Sequence, residues 1–240
     1  MRKGLERGGK NPDGKIEVAK SALLTALFKI PKGAEGHEYE VERRFKPARL
    51  LSEEELLLKS KGQFRDIEQA YIFVSTANGK EKTVRLRRTS PEAEGQLLRI
   101  AHKAKTAQNP TGRDEYQIKF PETDAREDEF EKLWKQHTWK TLTKRRFYID
   151  HTIKDCIFPD GKKKDIQCEI HYDIHSGGQL HGFVRIEVEF KNDEDEAYVR
   201  DWKGEESLLP DWVGEDVTGD KRYVSKALCR DGKPEEGPKS

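Results

Sequence analysis

His37–Pro47 reads "HEYEVERRFKP" and follows a loop-like "PKGAEG". Charged groups recur there at every second position: Glu38, Glu40, Glu42 and Arg44. On a strand, successive side chains point to opposite faces, so these four share one side while Tyr39, Val41, Arg43 and Phe45 share the other. A face this rich in ionic groups either lies in water or is set against something charged.

The same habit recurs along the chain. Glu187 and Glu189 alternate in "FVRIEVEF", Arg85 and Arg87 in "TVRLRR", Lys144 and Arg146 in "TKRRFY", and Lys119 stands singly in "YQIKF". Around them the pattern predicts about eight strands. "IEQAYIFVSTANGKEKTVRLRR" is a hairpin turning at Asn78-Gly79. "QLLRIAHKAK" and "DEYQIKF" are further strands, and "TKRRFYID", "DIQCEIHYDIH" and "HGFVRIEVEF" form a meander. Helices are expected over residues 16–30, from Ser52 with Glu55 at capping-box spacing, over 126–137, over the acidic-first 193–203, and over 221–230. Buried charge at alternate positions is prohibitive in a packed sandwich, whereas a closed barrel directs it into a wet lumen. The predicted fold is therefore α+β dominated by β: an eight-stranded antiparallel closed β-barrel with helices inserted between strands. For any one strand a solvated outer face explains the pattern equally, and spacing alone leaves both readings open.

Composition sets limits. Charged residues make up 38% of the 240 and the apolar set 33%, which gives a thin core for this length. The 46 basic and 45 acidic residues leave a net charge of +1, too little to draw in nucleic acid globally; any polyanion site must come from local segregation. Cys156, Cys168 and Cys229 make no paired framework, and a reducing, cytoplasmic location is expected. The first ten residues lack the apolar run of a secretory signal, and no stretch has the length and apolarity of a membrane span. "GKNPDGKI" near the start falls short of a phosphate-binding P-loop because Ile16 stands where Ser or Thr is required. Cys168, His171 and His175 lack a fourth ligand for zinc. Trp134, Trp139, Trp202 and Trp212 are expected to pack.

Sorted by sign, the alternating charges form carboxylate pairs and cation pairs. Divalent metals accept carboxylate oxygens and polyphosphates accept Arg and Lys donors, so a metal–polyphosphate complex uses both. The ordered motifs also resemble those of a known family. "YEVERRF" is similar to the ExExK signature of the CYTH superfamily, the triphosphate tunnel metalloenzymes, with Glu40, Glu42 and Arg44 at the motif positions. "IEQAYI", "VRLR", "YQIKF", "TKRRFY", "YDIHSGGQLHGFVRIEVEF" and "LPDWVGEDVTGDKRYVSKAL" resemble the later family motifs in family order, from about His37 to Leu228. Departures are Arg44 for the signature lysine, Ala70 for a glycine, Arg126 one position off a central-helix arginine, and about twenty additional residues between Arg87 and Lys119.

The resemblance implies a tunnel domain over 37–229; outside it, polar and Gly-rich composition predicts an N-terminal extension over 1–36 that is disordered before its short helix, and a disordered tail over 230–240. It implies Mg²⁺ or Mn²⁺ as cofactor and hydrolysis of the terminal phosphoanhydride of a linear triphosphate, most simply inorganic tripolyphosphate. Glu40, Glu42, Asp173, Glu187 and Glu189 are the expected metal ligands. Arg44, Arg85, Arg87, Lys119, Lys144, Arg146 and Lys226 are the expected phosphate contacts. Glu40, Glu42, Lys144 and Arg146 are the residues expected to carry the chemistry, with a metal-activated water as nucleophile. A class IV type adenylyl cyclase and a non-catalytic triphosphate or polyphosphate sensor are the alternatives. The expected partner is a small polyanion such as tripolyphosphate or a nucleoside or thiamine triphosphate, with neither nucleic acid nor membrane involved; the oligomeric state is open.

Overall fold

In the computed structural model the described residues are 15–76, 78–90, 96–105, 112–137, 139–204 and 207–235. Of the segments expected to be disordered, 1–14 and 236–240 lie outside them, whereas 230–235 are described and 230–231 are helical; between Arg87 and Lys119, residues 91–95 and 106–111 also lie outside. In chain order the elements are β1 (Lys15–Glu17), α1 (Ala22–Leu27), β2 (His37–Pro47), α2 (Glu53–Lys59), β3 (Phe64–Ser75), β4 (Glu81–Ser90), β5 (Leu97–Lys105) and β6 (Gly112–Pro121). These are followed by α3 (Glu127–Trp134), β7 (Leu142–Ile157), β8 (Lys163–His175), β9 (Val184–Phe190), α4 (Asp193–Asp201), β10 (Val213–Asp216) and α5 (Ser225–Asp231).

Strands β3-β4-β5-β6-β2-β9-β8-β7 pair in that order, and β7 pairs back onto β3, closing an eight-stranded barrel in which every neighbour is antiparallel. β1 and β10 are short additions beside β3 and β2. The "QLLRIAHKAK" stretch is β5, a strand as its pattern predicts and one of the eight in the barrel.

Local chemistry accounts for the turns and caps. Ser52 and Glu55 form the expected capping box on α2. The β3–β4 turn places Gly79 at φ +72°, and the Asn78 side chain accepts from Thr76 Oγ1 at 2.6 Å. The β7–β8 hairpin is longer than the sequence pattern indicated, because it turns at residues 159–161 with Gly161 at φ +81°. A bulge near its tip puts Asp155 at φ +60°, where its N–H donates to Asp165 at 2.9 Å. The helix expected over 16–30 is only partly helical. Residues 15–17 pair with β3, and Ser21 then caps a short α1 by accepting from the Leu24 N–H.

The core lies outside the barrel wall. Ile72, Val84, Leu86, Leu98 and Ile100 point outward beneath α1 and α3, which contribute Leu24, Leu27, Phe130 and Leu133. Val41, Ile149, Ile170, Ile186 and Val188 pack with Leu56 of α2, Trp212 and, at the margin, Tyr198 of α4. A third cluster joins Tyr71, Leu142, Phe183, Val217, Tyr223 and Leu228, so α5 covers one end of the barrel. Trp134 and Trp212 are buried, Trp139 packs against Phe73 at 5.1 Å, and Trp202 stacks on Tyr198 while remaining 42% exposed. With apolar side chains outside and ionic ones inside, a thin apolar composition suffices for a barrel of this size. Among the described residues no helix is long and apolar enough to cross a membrane.

Candidate active site in the barrel lumen

The lumen encloses about 1130 Å³ and is lined by twelve Lys or Arg side chains against seven Glu, an excess that suits an anionic guest. Pairing sets the arrangement. Glu42 of β2 lies opposite Glu189 of β9, Glu189 opposite Glu169 of β8, and Arg44 opposite Glu187, so carboxylates from three adjacent strands share one wall with Glu40. Across from them, Arg85 and Arg87 of β4 adjoin Arg99 and Lys103 of β5, with Arg87 opposite Arg99. Like charges directly opposite one another are unfavourable in a ladder.

On the acidic wall, burial raises the Glu40 carboxyl to about 7, and the neighbouring Glu115, Glu42 and Glu189 add to the rise against the pull of Lys103. Lys103 forms a close ion pair with Glu40 and lies 3.2 Å from Glu115. Burial also pushes Glu42 up, but Lys103, Arg44 and Arg113 outweigh it and hold the carboxyl at about 2. Arg44 pairs closely with Glu42, and Arg113 donates to the same carboxylate at 3.1 Å. A carboxyl raised by burial and further by its acidic neighbours marks a place where another cation would be favourable. The donor set therefore fits a divalent metal held by Glu40, Glu42, Glu187 and Glu189, all of which line the lumen.

On the basic wall, Arg85 donates to the buried Glu115 at 2.5 Å. Among the described residues Arg87 donates to the side-chain oxygen Oε1 of Gln69 at 3.1 Å, and its buried Nε finds no partner. Burial, together with Arg85, Arg99 and Arg146, lowers Arg87 to about 9. Burial and Arg85 lower Arg99 as well. Among the described residues neither Arg87 nor Arg99 has a carboxylate within ion-pair range.

The remaining expected residues divide by depth. Arg146 lines the lumen, donates to Asp173 through Nε at 2.6 Å and Nη2 at 2.8 Å, and pairs closely with Glu187. Asp173 and Lys144 are fully buried outside the lining, closely paired with each other, and Arg185 reaches the same carboxylate at 3.3 Å. In this geometry Asp173 serves cations. Lys226 lines the lumen from α5, donates to Thr83 at 2.8 Å and sits over the Phe73 and Trp139 rings. Lys119 lies exposed, paired with Glu38 at 3.2 Å, and is not among the lining residues. Arg126 lies outside the lumen, stacked over Phe120 and paired with Asp124 at 2.8 Å.

Sequence reasoning passed over Lys103, Arg99, Arg113 and Glu115. All four have the lumen parity of their strands; odd positions from Arg99 to Lys103 and from Arg113 to Lys119 show the two-residue period, but no named motif drew attention to them. It also grouped His171 with Cys168 and His175. The structure separates them: the Cys168 thiol points at the His151 carbonyl at 3.7 Å, and His175 packs on Phe183, whereas His171 joins Glu169 and Glu189 in the lumen.

The deep cluster carries a pH prediction. Burial would raise the Asp173 carboxyl, but Arg146 and Lys144 hold it well below the usual carboxylate range. A carboxyl depressed on folding contributes stability in full above its unfolded value of about 3.9, and that stability is lost as pH falls further. The melting temperature should drop by roughly 5 °C between pH 5 and pH 3, and Asp173→Asn should flatten that slope even if it lowers the melt at pH 7. An equal slope in the variant would place the acid sensitivity elsewhere.

No protein-family model matches the chain, and no curated protein does. Among solved structures, the chain is similar to the inorganic triphosphatase NE1496, at 26% identity over 79% of this chain and 93% of that one, with a TM-score of 0.40. It is also similar to the PH1819 protein from Pyrococcus horikoshii OT3, at 15% identity, covering 67% and 85%, with a TM-score of 0.41. The Hippeastrum protein HpAC1, described as an adenylyl cyclase candidate with a dominant triphosphatase activity, matches at 13% identity, covering 67% and 81%, with a TM-score of 0.32. The architecture rests on the strand pairings. Those pairings make the closed eight-stranded antiparallel barrel that the resemblance to the CYTH superfamily implied, and the chain has it.

Proposed function

We propose that the protein is a metal-dependent phosphohydrolase that cleaves the terminal phosphoanhydride of a linear triphosphate, with inorganic tripolyphosphate the simplest substrate. The observation that carries this reading is the cross-strand register of Arg87 with Arg99, two cations with no carboxylate in ion-pair range among the described residues, in one lumen with a crowded set of glutamates. An anion of several charges relieves the first group, and a divalent cation relieves the second. A triphosphate with its metal supplies both.

Arg87, Arg99 and Arg85 would grip phosphate oxygens from one wall, with Lys226 reaching in from α5 and Arg44 and Arg146 facing them from the acidic side. Glu40, Glu42, Glu187 and Glu189 would hold Mg²⁺ or Mn²⁺, which supplies charge neutralisation at the phosphoryl oxygens and lowers the pKa of a water. Arg146 would stabilise charge building on the transferred phosphoryl group, and Lys144 and Asp173 behind it would fix its position. Lys119, exposed beside Glu38, would serve entry to the tunnel. No covalent nucleophile is required. A small polyanion is the only partner this chemistry needs.

The experiment is a product panel with tripolyphosphate, ATP and thiamine triphosphate in the presence of Mg²⁺ or Mn²⁺. A hydrolase that grips phosphates should process tripolyphosphate at least as well as ATP and release orthophosphate. A cyclase, in which the ribose 3′-hydroxyl attacks the α-phosphorus, would give cyclic AMP and pyrophosphate and leave tripolyphosphate untouched. A sensor would bind all three without product.

A further inference from the structure

Glu169, His171 and Glu189 meet where β8 and β9 pair, and their ligating atoms lie within 4.8 Å of one another. Resting on the reading of the lumen as a metal-dependent triphosphate site, we propose that His171 Nδ1 and Glu189 together ligate a divalent metal while Glu169 holds the ring from its other nitrogen. This station favours metals that accept nitrogen, Mn²⁺, Co²⁺ and Zn²⁺, over Mg²⁺ and Ca²⁺.

The contacts of the ring support the assignment. His171 is 3% exposed, and its Nε2 lies in close contact with Glu169 Oε2. A carboxylate only accepts, so Nε2 carries a proton and donates it. Nδ1 then faces two neighbours of opposite character: Arg146 Nη1, a donor, at 2.8 Å, and Glu189 Oε1, an acceptor, at 3.2 Å. A lone pair on Nδ1 suits Arg146 and opposes Glu189. A proton there suits Glu189 and meets the Arg146 N–H.

A metal ion between Nδ1 and Glu189 resolves the conflict, because both groups donate electron pairs. Two ligands at about 2.1 Å from one ion and at right angles lie about 3.0 Å apart, close to the 3.2 Å between these atoms. Arg146 does not depend on the ring, since its Nε and Nη2 remain bonded to Asp173. A carboxylate that receives the second N–H of a ligating imidazole orients it and raises its basicity, which is the position of Glu169. Imidazole adds little for Mg²⁺ or Ca²⁺, which prefer oxygen, and more for the later first-row metals. The neighbouring all-carboxylate group of Glu40, Glu42 and Glu187 has no such bias.

The test uses the full chain with Mn²⁺ as the probe and no phosphate compound present. Pulsed electron paramagnetic resonance of bound Mn²⁺ should show coupling to a directly bound imidazole ¹⁴N. His171→Gln should abolish that coupling and weaken Mn²⁺ binding at least about tenfold, with Mg²⁺ binding nearly unchanged. Glu169→Gln should keep the nitrogen coupling while lowering Mn²⁺ affinity by about tenfold. The wild-type spectrum is informative even if a variant fails to fold. Absence of Mn²⁺ binding, Mn²⁺ bound without nitrogen coupling, or coupling that persists in folded His171→Gln would each overturn the proposal. Because no substrate is present, the outcome is separable from the hydrolase reading: nitrogen coupling without phosphate release refutes the hydrolase alone, and phosphate release without nitrogen coupling refutes the His171 station alone.

Discussion

Glu40→Gln should cut tripolyphosphate turnover by at least about a hundredfold while leaving the melting temperature of the metal-free protein unchanged or higher. The two outcomes have one cause. Half-buried Glu40 has its carboxyl raised to about 7, first by desolvation and then by Glu115, Glu42 and Glu189 against the pull of Lys103, so removing its charge relieves desolvation and repulsion in the protein without metal. Lys103 loses one carboxylate partner but retains Glu115 at 3.2 Å and Glu42 at 3.9 Å. The same oxygens would hold the divalent cation, and glutamine offers that cation a much weaker neutral ligand. Chelation should likewise abolish turnover, and Mg²⁺ or Mn²⁺ should restore it. Wild-type turnover in a chelated sample, or in Glu40→Gln, would remove the metal from the mechanism.

The second large effect separates two adjacent arginines. Arg87→Ala should lower turnover about a hundredfold with an unchanged or raised melting temperature in the absence of ligand, because among the described residues Arg87 has no carboxylate in ion-pair range and it faces Arg99. Arg85→Ala should lower turnover comparably and also destabilise the fold by up to about 3 kcal/mol, since it strips a partner from the buried Glu115. Lys103, still 3.2 Å from Glu115, limits that loss. Sequence alone treats the two as equivalent members of an Arg-x-Arg pair; the burial of Glu115 distinguishes them. Thermal melts with and without tripolyphosphate, alongside steady-state rates, check both. Equal destabilisation by the two substitutions would mean that Arg87 is held in an ion pair and is not poised for phosphate.

The barrel was legible because its strands carry charge with a period of two and their outward positions carry the apolar residues. Glu40, Glu42 and Arg44 alternate with Val41 and Phe45, and the structure places the first set in the lumen and the second toward the core. Turn chemistry was equally local: Asn78-Gly79 and the Ser52/Glu55 box each name their element within four residues. What sequence did not yield was depth along the tunnel. Lys119 and Arg85 both have lumen parity, yet one lies at the exposed edge and the other against a buried carboxylate, a difference set by strand tilt and register around the whole barrel. Lys144 and Asp173 show the converse, with correct parity but a position below the lining. Glu169 had no motif to mark it and His171 was grouped with the wrong neighbours, because their partner Glu189 lies on another strand and only the β8–β9 register brings them together.

The central claim is that this lumen grips a linear triphosphate and hydrolyses its terminal phosphate. It is tested most directly by ³¹P nuclear magnetic resonance of tripolyphosphate incubated with the protein and Mg²⁺ or Mn²⁺ in ¹⁸O-labelled water. The account predicts loss of the triphosphate resonances, equimolar appearance of orthophosphate and pyrophosphate, and the label in the orthophosphate. Intact tripolyphosphate in the presence of folded, metal-loaded protein would contradict it.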